Sequence, residues 1–482
     1  MDRQPWQWSA TELADAYRRG VTTPSEHTAL LLARIERLNP QLNAVVTLDP
    51  SAREQAAAST ARLRAGRPRS ALDGVPVTIK DNMLVAGLRA TWGSRLFADF
   101  VPAHDELPVA RLRAAGAVIL GKTNVPEFTL QGYTDNPLFG PTRNPWDTHL
   151  TPGGSSGGAV AAVAAGLGPL AFGTDGGGSI RRPASHAGLV GLKPSRGRVP
   201  RADGFPAILL DYEVAGPMAR TVSDIVAAMS VLSEPDRRDP GSAFFEGRPF
   251  AMPATSAPRR ILFAPNFDGA PVDPEIATSI AAAARRLEWL GHRVDEAPNF
   301  DLATPVNEVW SAFSQTGLAW LLTQHGRWRD RTSEALIALA DAGRMLPATS
   351  YFEALDRVQT MRVQLDALFV DYDVILTPTA AALPWTATET HPPTIAGRPV
   401  GPRGPAVFTG FVNAAGLPAI SVPCKPSAQG LPIGVQLIAR HGEDALLCAL
   451  AAQFEQAEPW ADRWPAIATQ ATEGARDVAA VR

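Results

Sequence analysis

Apolar residues recur along this chain in short bounded runs whose texture switches between helical and strand-like. Ser9-Ala-Thr-Glu12 is a capping box opening a helix that Gly20 ends, and Thr23-Pro24-Ser25-Glu26 is a second box with Pro24 at the first helical position. Residues 52–65, rich in Ala and Arg, predict an exposed helix. Val75-Pro-Val-Thr-Ile79 then predicts a strand, 108–115 a helix and Ala117-Val-Ile-Leu120 a buried strand. Residues 157–166 predict an Ala-rich helix and 169–173 a strand. Asp273-Pro274 opens a helix over 273–290, followed by the strand Arg293-Val-Asp-Glu. Residues 302–370 are helical in pattern and carry Trp310, Phe313, Trp320, Trp328, Tyr351 and Phe352. Val374-Ile-Leu376 and Ala419-Ile-Ser-Val422 return to strand texture. Strands alternating with helices argue for an α/β fold. With no repeat and no clean linker, one large domain with a helical insertion is expected.

Composition removes several classes of function. The 482 residues are 45% hydrophobic and 19% charged, as in an ordinary globular protein. A net charge of −3 gives no reason to expect nucleic acid or an anionic membrane as partner. The 40 Gly and 43 Pro imply many loops. Cys424 and Cys448 alone make no disulfide framework. The apolar stretch 159–173 is too short and too broken by glycine and Pro169 to span a bilayer, and the first residues lack a leader's apolar core. The expectation is a cytoplasmic protein.

Two motif matches fail on chemistry. Gly116-Ala-Val-Ile-Leu-Gly121-Lys122-Thr123 fits a phosphate-loop pattern, but its middle residues are strand-forming and their N–H groups belong to a sheet. Gly153-Gly-Ser155-Ser-Gly157 fits a nucleophile elbow, yet the elbow needs a strand before the serine, and 144–152 is loop chemistry. The elbow also needs a histidine, and neither His186, His292, His325, His391 nor His441 stands in a distinctive setting.

A third constellation is dispersed over three segments. Asp73-Gly-Val-Pro-Val-Thr-Ile-Lys80-Asp-Asn82 ends an apolar strand on a lysine; Pro152-Gly-Gly-Ser155-Ser156-Gly-Gly158 runs into the Ala-rich helix. Gly173-Thr-Asp-Gly176-Gly-Gly-Ser179-Ile-Arg-Arg-Pro-Ala184 follows a strand. Taken singly these are a snorkelling lysine and two glycine turns. Together, three glycines before a serine permit a nest of N–H groups for developing negative charge, and the serine needs a base.

These segments resemble the amidase signature family. The similarity extends through Gly121-Lys-Thr-Asn-Val-Pro-Glu127, Asn136-Pro-Leu-Phe-Gly140, Gly188-Leu-Val-Gly-Leu-Lys193-Pro194 and Gly216-Pro-Met-Ala-Arg-Thr-Val-Ser-Asp224. It continues in Leu376-Thr-Pro-Thr379 and Asn413-Ala-Ala-Gly-Leu-Pro-Ala-Ile-Ser-Val-Pro423, covering roughly residues 8–457. The resemblance implies a mixed, twisted central sheet flanked by helices on both faces. Residues 1–70 would be a helical segment packed on the core, 71–230 the core with the triad, and 231–372 a continuation whose helical insertion borders the substrate pocket. Residues 373–465 would complete the core, and 466–482 read as a frayed tail.

The same resemblance implies a histidine-free triad: Ser179 as acylated nucleophile, Ser155 as bridge, next to a cis peptide bond and touching substrate, and Lys80 as base. The N–H groups of Gly176, Gly177, Gly178 and Ser179 would hold the oxyanion. Thr129 would line the substrate pocket, and Asp175 and Arg181 would hold the loop. A lysine acts as base only when neutral, so its pKa must fall below about 10.4. Burial would lower it, and Asp81 would oppose that if it pointed inward. No cofactor or metal is implied.

The expected function is hydrolysis of a carboxylic amide or carbamate, with an apolar or aryl amide favoured if the aromatics of 302–370 line the pocket. The expected partners are that small molecule and water, with a homodimer left open. The alternative within the family is the glutamine-hydrolysing subunit of tRNA-dependent amidotransferases. That subunit usually has a threonine-like residue where this chain has Gly176, and glutamine where it has Arg182.

Overall fold

A computed structural model describes residues 3–253 and 257–470. Both capping boxes form, with Ser9 and Thr23 each accepting from the backbone of the glutamate three residues on; their helices run Ala10–Arg18 and Pro24–Leu42. The other predicted helices appear as Ala52–Arg64, Leu107–Ala114, Gly157–Ala164 and Pro274–Trp289. The stretch 302–370 resolves into Thr304–Thr323, Glu334–Met345 and Ala348–Asp371.

Eleven strands form one mixed sheet. In spatial order they are Val45–Leu48, Val118–Thr123, Pro76–Lys80, Leu170–Asp175, Val214–Ala219 and Val190–Lys193, then Ala419–Pro423, Gly434–Ala439, Val374–Pro378, Arg260–Phe263 and Arg293–Glu296. Pro76–Lys80 pairs in parallel with both of its neighbours, whereas Leu170–Asp175 runs antiparallel to Val214–Ala219.

Alternation along the strands divides the core in two. Val374 and Leu376 enter one apolar cluster with Ile225, Ile280 and Leu450, from helices on one face. Ile375 enters another with Trp310, Val358 and Phe411, from helices on the other. Helices therefore cover both faces, as expected. The segment that fits a phosphate-loop pattern is sheet through Thr123, with Lys122 paired to Asp81.

Among the described residues, no helix is long and apolar enough to cross a membrane. Of the tail 466–482, residues 471–482 lie outside the described residues. Ala468 is buried, and its carbonyl accepts from Arg34 at 3.2 Å.

Candidate active site

Lys80 closes one strand and Asp175 closes its parallel neighbour, so both stand at the carboxyl edge of the sheet, where α/β folds place ligand crevices. Ser155 lies just before the helix Gly157–Ala164, which packs on those two strands. The Gly154–Ser155 peptide bond is cis.

Lys80 Nζ lies 2.8 Å from Ser155 Oγ and 3.0 Å from both Thr174 O and Thr174 Oγ1. Burial lowers its pKa to about 7, against a weaker upward pull from Glu213 and Asp175. Among the described residues, no carboxylate forms an ion pair with it. Asp81 points elsewhere: it accepts from the backbone and hydroxyl of Thr91 and stands 3.2 Å from Lys122. The neighbour that could have kept Lys80 charged is thereby occupied. Burial brings Lys193 to about 7 as well, but among the described residues its Nζ meets only Pro194 O, at 2.7 Å. Contact with a hydroxyl sets Lys80 apart.

Asp175 organises the loop that follows it. Its carboxylate accepts from the N–H groups of Gly178 at 2.7 Å and Ile180 at 3.0 Å, and from Arg181 Nε and Nη2 at 3.0 and 2.9 Å. Burial alone would raise its pKa, but the Arg181 charge and hydrogen bonds hold it well below the usual carboxylate range. Arg181 also reaches Gln436 Oε1 at 2.8 Å. Of the four N–H groups expected to hold the oxyanion, that of Gly178 donates to Asp175, and Gly178 does not line the cavity. The N–H groups of Gly176, Gly177 and Ser179 donate to no protein group among the described residues.

A cavity of about 430 Å³ opens on this loop, lined by Gly176, Gly177 and Ser179 and walled by Leu130, Leu209, Trp310, Leu336 and Leu339. Ser179 is 7% exposed, and its carbonyl accepts from Ser156 N at 3.2 Å, which ties the two serine segments together. Ser155 is buried and does not line the cavity. Thr129 does line it, with its hydroxyl accepting from Trp92 Nε1 at 3.1 Å. Of the seven aromatics in 302–370, only Trp310 reaches the lining, and Phe369 is buried away from it. Phe313 packs edge-on to Tyr212 at 5.2 Å, Tyr351 packs on Phe313, Trp328 is buried, and Trp320 and Phe352 face outward. No histidine lines the cavity. His186, whose pKa burial lowers to about 4, stands 3.2 Å from Ala382 O and edge-on to Trp385.

Sequence reasoning missed several residues that shape this loop. Thr409 Oγ1 donates to Gly177 O at 2.8 Å, and Asn413 Nδ2 to Asp175 O at 2.7 Å. Asn413 stands in a segment already marked by resemblance. Thr409, Gln436 and the cavity-lining Arg403 carry no local signal, because only the fold brings them to residues 175–182.

A family model described as Amidase matches residues 26–448. An acylamidase of Rhodococcus erythropolis is 36% identical over 97% of this chain and 99% of its own length. A glutamyl-tRNA(Gln) amidotransferase subunit of Moorella thermoacetica is 35% identical over 95% of this chain and 98% of its own. A solved bacterial aryl acylamidase superposes with a TM-score of 0.86 at 32% identity, covering 94% of this chain and 96% of that one.

Proposed function

The chain belongs to the amidase family and is an amide-cleaving hydrolase acting on carbon–nitrogen bonds; from that premise we propose that it works through an acyl-enzyme on Ser179. Neutral Lys80 takes a proton from Ser155 as Ser155 takes one from Ser179. Ser179 Oγ attacks the amide carbonyl, and the oxyanion rests on the N–H groups of Gly176, Gly177 and Ser179. The relay runs back to protonate the leaving amine, and water then releases the acid. The observation that carries this reading is the 2.8 Å contact between Lys80 Nζ and Ser155 Oγ, with no carboxylate paired to the amine.

Aryl or apolar amides are the proposed substrates, because Trp310 and four leucines wall the cavity. The resemblance to an aryl acylamidase points the same way. A serine-directed fluorophosphonate followed by peptide mapping tests the mechanism: label on Ser179 is expected, and label elsewhere with Ser179 untouched would reject it. A panel of acetamide, a fatty amide, an anilide and a carbamate tests the substrate class, and a clear preference for acetamide would reject the aromatic pocket.

The likeness to an amidotransferase component supports a second reading, glutamine hydrolysis within a complex. Gly176 and Arg182 stand against it, since that component usually has a threonine-like residue and glutamine there. Glutamine turnover that appears only with a partner protein would reinstate it.

A further inference from the structure

The cavity contains a charge imbalance that the triad does not explain. Arg182 and Arg403 both line it, and neither forms an ion pair or side-chain hydrogen bond among the described residues. Arg182 is only 7% exposed, and its Nε is buried without a partner. Its guanidinium lies against Gly132, where a Cβ would come within 2.7 Å of Nη1. Arg403 is half-buried, with its Nη2 buried and unpartnered and its guanidinium carbon 5.0 Å from the centre of the Trp310 ring.

Nearby carboxylates are already engaged. Asp175 is held by Arg181 at 2.9 Å. Glu213, the one acid on the lining, pairs with Arg201 at 2.7 Å. Burial brings Arg182 to about 10 and Arg403 to about 9, the latter helped down by Arg182, so both are cations at neutral pH. Buried guanidinium groups without a partner are costly, and the planar fork suits a carboxylate.

We infer that Arg182 and Arg403 form an anion subsite beside Ser179, and that the preferred substrate is an amide whose acyl or amine portion carries a carboxylate. This rests on the acyl-enzyme reading and narrows its substrate class: the apolar wall takes the hydrocarbon or ring, and the arginines take its charged end.

Two matched pairs test the inference on the purified full-length enzyme. Succinanilic acid against butyranilide places the charge on the acyl side; N-acetyl-4-aminobenzoate against acetanilide places it on the amine side. For one pair, kcat/KM should favour the charged member by about tenfold or more. Arg403→Gln and Arg182→Gln should bring that ratio near one, and Arg403→Lys should restore part of it, which a merely structural role would not do. Equal turnover within both pairs, alongside hydrolysis of the neutral anilides, would overturn the inference. So would an Arg403→Gln variant that lowers charged and neutral substrates alike. Competitive inhibition by free succinate or benzoate without any preference between pair members would assign the site to a free anion and also overturn it. If no anilide is hydrolysed and Ser179 takes no label, the acyl-enzyme reading fails first and this inference with it.

Discussion

The N–H of Gly178 donates to Asp175 Oδ1 at 2.7 Å, which ties the third glycine of the loop back to the strand that launches it. The same carboxylate takes Ile180 N and the Arg181 guanidinium, so one buried charge holds the backbone on either side of Ser179. Asp175→Ala would leave the Arg181 charge buried without its counter-ion and take the carboxylate from three N–H groups, those of Gly178, Ile180 and Arg181. A loss of about 3–5 kcal/mol is expected, read from the urea midpoint at constant slope. A midpoint equal to the parent's would show that the loop holds its shape without this charge.

Ser179 offers a clean separation of catalysis from folding. Its hydroxyl makes no hydrogen bond to protein among the described residues. Ser179→Ala is therefore expected to keep stability within about 0.5 kcal/mol while kcat falls by about 10⁶-fold. Full activity in this variant would reject Ser179 as nucleophile.

Lys80 sets the pH response. Its neutral form is the base, so kcat/KM should rise through about pH 7 and level off above it. The folded value lies below the unfolded one, so the unfolded chain binds the extra proton between the two. Stability contributed by this group accordingly rises with pH from about 7 to 10.5, and the penalty is full below about 7. Lys80→Met should abolish activity and raise the urea midpoint at pH 6 by more than at pH 9. A pH–rate profile flat between 5.5 and 8.5, about 1.5 units either side of the expected value, would contradict the assignment.

His186 provides the contrast. Its Nε2 meets a main-chain carbonyl and no carboxylate, so His186→Gln should lower kcat far less than Lys80→Ala does. Equal loss in the two variants would revive an elbow mechanism centred on Ser155.

Trp310 lines the cavity together with Tyr133 and also lies over Gly177, where a Cβ would come within 3.0 Å of its ring. Trp310→Ala should raise KM for an anilide by about tenfold or more, as expected for lost aromatic burial, and change acetamide much less. Equal effects on both would assign Trp310 to loop support rather than to the substrate.

Helices with local start signals were legible because capping is a matter of neighbouring residues: Ser9 with Glu12 and Thr23 with Glu26 close their bonds within one turn. Strands such as Val214–Ala219 were not, because Gly216-Pro217 reads as a turn and only pairing to Leu170–Asp175 and Val190–Lys193 makes it sheet. The predicted strand 117–120 in fact continues through Thr123, since Lys122 meets its charge partner, Asp81, only in the folded chain.

By itself the sequence determined an α/β chain, the three segments bearing Lys80, Ser155 and Ser179, and the family they resemble, because each of these is written in contiguous residues. Tertiary structure decided which way Asp81 faces, that Gly178 serves Asp175 instead of the cavity, and that Trp310 alone of the seven aromatics in 302–370 reaches the lining. It also brought Arg182 and Arg403 to one cavity with no acid paired to either among the described residues. Those are matters of direction and long-range proximity, and neighbours in sequence do not encode which buried hydrogen-bonding group is already taken.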